Sequence, residues 1–283
     1  EIGVRLVGSE MCIRDRKKNQ SIITGRPFRS PHHTVSAIAL AGGGTIPKPG
    51  EISLSHNGVL FLDELPEFNR NALEVMRQPL EDREVTIARI HGKYVYPAGF
   101  MLVAARNPCP CGMYPDLNKC TCSYRQIRQY NAKISRPLLD RIDINVNVQK
   151  VAYEDLLGTK KAETSAQIRK RVLAAQKIQR ERYRSESFHF NSQLDGRRTQ
   201  KYIKLGSAEE AMIRDVFEET DLSARGYNRA LKKARTIADL DGSPEIREIH
   251  LKEALFFRYQ NLLEDGETGR SRSYGKGAFG YGS

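Results

Sequence analysis

The segment Gly58-Val59-Leu60-Phe61-Leu62-Asp63-Glu64 constrains this chain more than any other stretch of it. Four consecutive large apolar residues leave no alternation between core and solvent. The run therefore reads as a short strand buried on both faces of a parallel sheet, stopped abruptly by two acids. Its surroundings agree. Asn69 caps a helix predicted over 69–82, with Leu73, Val75, Met76 and Leu80 near one face. Residues 84–97 alternate around His91-Gly92-Lys93 and read as a hairpin. Residues 100–105 form a second buried apolar strand that ends at Asn107-Pro108, and Ile142, Ile144, Val146 and Val148 alternate as a third. Residues 42–50 (GGGTIPKPG) are a Gly/Pro loop.

After Lys150 the pattern changes to helices. Residues 162–184 carry Ile168, Val172, Ala175 and Ile178 on one face of a basic helix. Residues 207–219, 223–240 and 247–262 follow as helices, the second opened by Ser223 as N-cap. The fold class expected is α/β: a parallel-sheet core over 17–155, then a helical domain over 156–265. Residues 266–283 are rich in Gly and Ser and read as a disordered tail. Residues 1–16 (EIGVRLVGSEMCIRDR) show no coherent period and read as translated sequencing-adaptor sequence, which sets the expected native start near Lys17; an ordinary short strand and turn is the alternative.

Charge and cysteine usage narrow the function classes. The formal net charge is +12, from 46 basic and 34 acidic residues. That excess favours an anionic partner such as nucleic acid, and it also fits an ordinary soluble protein. No apolar run approaches the roughly 18 residues of a membrane span. Glu10, Arg14, Asp15 and Arg16 interrupt any signal-peptide core, so a cytoplasmic location is expected. Of five cysteines, Cys12 stands alone, and Cys109, Cys111, Cys120 and Cys122 crowd into one loop. Two CxC pairs at that density can complete a tetrahedral Zn²⁺ site, with Gly112 and the prolines permitting the sharp turn. Reduced free thiols are the alternative.

Asp63 and Glu64 sit at the carboxyl end of a parallel strand, where α/β sheets bind ligands. There Asp63 can hold Mg²⁺ and Glu64 can orient an attacking water. A helix cap or an edge ion pair would explain the same acids. Asn107 ends the second strand. Its neutral amide can meet a γ-phosphate oxygen without adding repulsive charge, or it can simply turn the chain before Pro108. Adjacent His32 and His33 fit a polar loop better than a metal site, because neighbouring side chains in an extended segment diverge.

The segments RPFRSPHHTVSAIALAGGGTIPKPGEISLSHNGVLFLDELPEFNR, AARNPCPCG and SRPLLDRIDINV, in that order, resemble the magnesium-chelatase-like AAA+ ATPases of the YifB/ComM type over about residues 25–262. The resemblance implies a P-loop-type parallel-sheet core followed by an α-helical lid, with ATP and Mg²⁺ as cofactors. It implies that Asp63 and Glu64 match the Walker B motif and Asn107 sensor 1. Arg141 matches the arginine finger that reaches a neighbouring subunit's nucleotide, and Arg225 falls where sensor 2 is expected, with Arg229 one turn on. An intradomain pair with Asp140 or Asp143 would also explain Arg141, and a solvated helix face would explain Arg225 and Arg229. The resemblance further implies a Gly-rich loop ending in Lys-Ser/Thr and a Lon-protease-like domain. These 283 residues contain no G-x-x-x-x-G-K-[ST], and Gly42-Gly43-Gly44 is not followed by the lysine. The chain is thus expected to be an N-terminally truncated fragment that binds ATP weakly or not at all.

Function follows as an expectation: part of a homo-oligomeric ring motor, a hexamer, acting on DNA in branch migration during recombination or transformation. The loop at 42–50 and the hairpin at 84–97 match pore-facing insertions of related rings, with Lys48, Arg89, His91 and Lys93 available to a DNA backbone, or they are ordinary surface loops. Arg169, Lys170, Arg171, Lys177, Arg180, Arg182 and Arg184 offer either a phosphate-contacting surface or a solvated one. Two alternatives stand: a magnesium-chelatase-like ATPase remodelling a protein partner, and a non-catalytic zinc-containing nucleic-acid-binding module.

Overall fold

The computed structural model describes residues 25–89, 92–148, 163–219 and 222–264. The expectations for residues 1–16, Cys12, His91 and the tail at 266–283 fall outside those residues. The chain divides into two compact units, Glu1–Ile142 and Asp143–Ser283.

Unit 1 is mixed α/β. Its elements run β1 (Phe28–Arg29), α1 (Ala37–Ala41), β2 (Gly42–Gly43), β3 (Lys48–Pro49), α2 (Glu51–Leu54), β4 (Val59–Leu62), α3 (Arg70–Glu74), α4 (Pro79–Asp82), β5 (Glu84–Arg89), β6 (Gly92–Pro97), β7 (Met101–Ala104), α5 (Tyr124–Asn131) and α6 (Arg136–Leu139). The predicted apolar run is β4, at the centre of a parallel sheet ordered β1-β4-β7. Phe28 and Arg29 pair with Val59 and Leu60, and Val59–Leu62 pair with Met101–Ala104. Only glycine fits at position 58, since a β-carbon there would lie 1.9 Å from the Pro27 carbonyl oxygen. That close approach lets β1 dock on β4. The entry to β7 is fixed beside it: Asn57 donates to the Gly99 carbonyl (2.7 Å), and the Gly99 N–H donates to His56 Nδ1 (3.0 Å). Burial holds His56 below the usual imidazole range, which keeps that nitrogen an acceptor.

Leu60 and Leu62 face a core with Leu40, Ile52, Leu65, Phe68, Leu73, Met76 and Leu138. The opposite face departs from expectation. Phe28 stacks on Phe61 but stays exposed, as do Met101 and Val103, so among the described residues the sheet is covered on one side. The helix expected over 69–82 is two helices, α3 and α4, with Pro79 at the start of the second. Proline has no N–H to continue the ladder, so the chain turns before restarting. Asn69 does cap α3, accepting from the Asn71 N–H at 2.9 Å. The third expected strand does not form. Residues 142–148 have no ladder partner among the described residues, and Ile144, Val146 and Val148 are exposed. Alternation supplied the side-chain pattern, but a strand also needs a neighbour to satisfy its backbone. The hairpin is confirmed as β5–β6, in register from Glu84↔Pro97 to Arg89↔Gly92.

Unit 2 is helical among the described residues: α7 (Ser165–Arg182), α8 (Gly196–Tyr202), α9 (Ser207–Glu219), α10 (Ala224–Leu240) and α11 (Glu248–Glu264). Thr164 and Ser223 cap α7 and α10 through their hydroxyls. The apolar face read on α7 is largely uncovered. Ala175 is buried, whereas Ile168, Val172 and Ile178 are exposed. Polar contacts anchor α7 instead. Arg182 makes two hydrogen bonds to the Asp239 carboxylate (2.9 and 2.5 Å), and Arg235 Nε reaches the same group at 3.1 Å. Asn191 donates to it as well at 2.8 Å. Asp239 is fully buried, so two guanidinium charges depend on one carboxylate for compensation.

Asp239→Ala should therefore destabilise the helical unit by about 3–5 kcal/mol, the usual penalty for orphaning a buried charge. Urea denaturation of the whole chain, followed by helical circular dichroism, checks it. A shift under 1 kcal/mol would contradict the assigned role of Asp239.

Candidate functional site

Parallel pairing decides where the site forms. Because β1, β4 and β7 run the same way, the chain leaves all three at one edge of the sheet. β1 is followed by Ser30-Pro31-His32-His33, β4 by Asp63-Glu64, and β7 by Ala105-Arg106-Asn107. The ladder continues past the strand ends, with the Ala105 N–H on the Leu62 carbonyl and the Leu65 N–H on the Ala105 carbonyl, both 2.9 Å. Asp63 and Asn107 thus stand on adjacent exits from the sheet, both exposed.

Glu64 adopts left-handed backbone angles, φ 53° and ψ 47°. A non-glycine residue needs local support there. Asp63 provides it, its Oδ1 accepting the Glu64 N–H at 2.9 Å. The turn lifts the Glu64 carboxylate off the edge, where Oε2 lies 3.4 Å from His33 Nδ1. The His32 and His33 rings lie against each other at a tilt of 36° with centroids 4.0 Å apart, contrary to the expected divergence, because Pro31 and the turn at 33–34 bend the segment. From sequence alone His33 belongs to a polar loop. Its approach to Glu64 crosses 31 positions and depends on β1 pairing with β4, which a two-residue strand does not announce.

Tyr130 on α5 extends the site's polar rim. Burial raises its hydroxyl above the usual phenol range, and the charges of Glu67 and Glu64 add to that. Lys133 bridges the rim, 3.2 Å from Glu67 and above the Tyr130 ring.

The predicted arginines are placed separately. Arg141 follows α6. It donates to the Pro137 carbonyl (2.7 Å) and to Glu81 Oε2 (2.6 Å), beside a cavity of about 440 Å³ lined by Glu74, Gln78 and Thr86. Its side chain is 13% exposed and forms an ion pair with Glu81, a partner other than the two that the sequence offered. Arg225 and Arg229 lie in the first turns of α10 in unit 2, Arg225 exposed and Arg229 3.2 Å from Asp143.

The cysteine loop follows Asn107 directly. The four Sγ atoms of Cys109, Cys111, Cys120 and Cys122 lie within 4.8 Å of one another, a set that could hold a metal ion. An N–H from Met113, then the Cys109 thiol, lowers Cys111 to about 6. At Cys120 a backbone hydrogen bond at Cys122 favours the thiolate, but burial and the Cys111 and Cys109 thiols outweigh it and push the group up to about 12.

The two hairpins meet. The Tyr96 hydroxyl donates to the Pro47 carbonyl at 2.9 Å, which docks β6 on the β2–β3 turn. Lys48, Arg89 and Lys93 are all exposed on these two hairpins. On α7, Arg182 is taken up by Asp239 and Arg171 by Glu163 (2.8 Å), so the basic set available to a phosphate is smaller than the sequence suggested.

Residues 7–156 match the family model for magnesium chelatase, subunit ChlI, and residues 162–258 match the model for the C-terminal part of that subunit. Among curated proteins, the chain is 47% identical over 234 residues to the competence protein ComM of Haemophilus influenzae, covering 82% of this chain and 45% of that one. It is 44% identical over 234 residues to the protein YifB of Escherichia coli and 43% identical over 235 residues to YifB of Salmonella typhimurium, with the same coverage. The chain thus spans a little under half the length of these relatives. No helix among the described residues is long and apolar enough to cross a membrane.

Proposed function

The chain belongs to the magnesium chelatase ChlI family, with the α/β core and helical C-terminal domain of that group, and on this premise we propose that it forms part of an ATP-hydrolysing AAA+ ring that acts on DNA in the cytoplasm. One observation carries the hydrolytic reading: β4 and β7 leave Asp63-Glu64 and Asn107 side by side at the carboxyl edge of a parallel sheet.

Each residue there has a chemical task. Asp63 keeps acceptor capacity beyond the one N–H it receives, which suits a hydrated Mg²⁺. The ion would supply charge neutralisation at the phosphates. Glu64 accepts a proton from, or orients, the attacking water, and His33 positions its carboxylate. Asn107 donates to the terminal phosphate without adding negative charge. Arg141 serves a neighbouring subunit, where a guanidinium bridges two phosphate oxygens as charge develops. The Glu81 ion pair orients it until that subunit docks. Arg225 and Arg229 contribute from the helical domain. A phosphate-binding loop is needed as well, so turnover is proposed for a polypeptide that joins such a loop to these residues.

The anionic partner is assigned to the hairpin pair. Lys48, Arg89 and Lys93 project from two insertions that dock on each other, which places three cations on one exposed structure. A magnesium-chelatase-like role on a protein partner is the second reading, supported by the family itself. The name of ComM, a competence protein, supports the first.

In the assembled, loop-containing protein, Glu64→Gln should reduce ATP turnover by roughly 10²–10⁴-fold while nucleotide binding persists. Arg141→Ala should do likewise. Mixing the two inactive variants should restore measurable turnover, since a site can then take Glu64 from one subunit and Arg141 from the next. Phosphate release assays read all three, and absence of recovery on mixing would contradict the trans role.

Binding to forked DNA should weaken with salt. Replacing Lys48, Arg89 and Lys93 by Gln together should reduce the slope of log affinity against log salt by about 2–3. An unchanged slope, measured by fluorescence anisotropy, would favour the protein-remodelling reading.

A further inference from the structure

We propose that Cys109, Cys111, Cys120 and Cys122 form a tetrathiolate Zn²⁺ site that staples the loop between β7 and α5. The thiol geometry carries the proposal. A tetrahedral ion with Zn–S bonds of about 2.3 Å needs sulfurs about 3.8 Å apart. The Sγ separations are 3.4 Å for Cys109–Cys111, 3.8 Å for Cys109–Cys120 and 3.6 Å for Cys111–Cys120. Cys122 completes the set, its Sγ within 4.8 Å of the other three. All four are free thiols, their sulfurs well beyond the roughly 2.05 Å of an S–S bond and close enough to share one ion.

The backbone is shaped for that purpose. A CxC pair delivers two sulfurs to one point only if the chain reverses at once. Gly112 makes the reversal, with φ +73° and its N–H on the Cys109 carbonyl at 3.0 Å. The next turn directs the Tyr114 N–H at Cys109 Sγ (3.5 Å), an orienting contact of the kind that fixes thiolate ligands. The second pair is set by Asp116, whose carbonyl accepts the Cys120 N–H at 2.8 Å and whose Oδ1 accepts the Asn118 N–H at 3.1 Å. Residues 105–123 contain no helix or strand, yet Cys109 is fully buried. A long irregular loop with a buried thiol near its start calls for a cross-link, and binding free energy from a structural metal supplies one. The loop also adjoins the candidate site: a β-carbon on Gly112 would stand 4.0 Å from Asn107 Cγ. The zinc site itself does not depend on the ATPase reading.

The test uses the 283-residue chain purified without chelator and dialysed exhaustively. Elemental analysis should find one zinc per chain. Titration of the native protein with an organomercurial, followed by a metallochromic indicator, should release that zinc as four thiols are modified. Cobalt substitution should give thiolate-to-metal charge transfer and the intense visible bands of a tetrahedral sulfur site. Cys111→Ser and Cys120→Ser should each lose the zinc, and the wild-type titration and cobalt spectrum decide the matter should either variant fold poorly. A metal-free native chain with four freely reactive thiols would overturn the proposal. So would iron in place of zinc, or full zinc retention in both serine variants.

Discussion

The parallel pairing of β4 with β7, extended on the other side by β1, is the constraint on which the rest of unit 1 depends. Parallel strands share a direction, so the segments that leave them share an edge. Residues far apart in sequence therefore meet without any contact designed between them. His33, the Asp63-Glu64 pair and Asn107 are delivered in this way, and the hydrogen bonds at Ala105 and Leu65 prolong the ladder far enough to hold the exits together. Gly58 is a condition of the arrangement, because a larger residue would push Pro27 and the first strand away.

The two units solve the problem of burying charge differently. Unit 1 keeps its acids at an exposed edge, where solvent supports their charge and a ligand can reach them. Unit 2 takes a carboxylate and two guanidiniums inward and satisfies them mutually around Asp239. The first arrangement is accessible for chemistry and the second is committed to structure. The same distinction sorts the basic residues. Lys48, Arg89 and Lys93 stand on exposed hairpins, whereas Arg182 is spent on fixing α7.

Much of this was legible beforehand, and the failures have physical causes. The run at 58–64 declared β4 because unbroken apolar sequence has few other uses, and the β5–β6 hairpin followed from alternation around a glycine. The helices α9, α10 and α11 followed from period and capping. The strand expected over 142–148 failed because side-chain alternation cannot report whether a backbone partner exists. The single helix expected over 69–82 divides in two because Pro79 has no N–H to continue its ladder, which apolar spacing alone does not register. At the site, the Asp-Glu pair, Asn107 and the four clustered cysteines were visible as local patterns. The nearness of His33 to Glu64 was not, since only the register of two short parallel strands creates it. The Glu81 partner of Arg141, 60 residues upstream, was hidden for the same reason.

The central claim is that the strand exits at Asp63-Glu64 and Asn107 form the hydrolytic face of a nucleotide site completed by a second subunit. A structure of the assembled, loop-containing protein with Mg²⁺ and a non-hydrolysable ATP analogue tests it most directly. The terminal phosphate should lie within hydrogen-bonding reach of Asn107, the metal beside Asp63 and a water at Glu64, with Arg141 arriving from the adjacent subunit. A nucleotide whose terminal phosphate lies away from this edge, or an Arg141 that stays on Glu81 in every subunit, would contradict it.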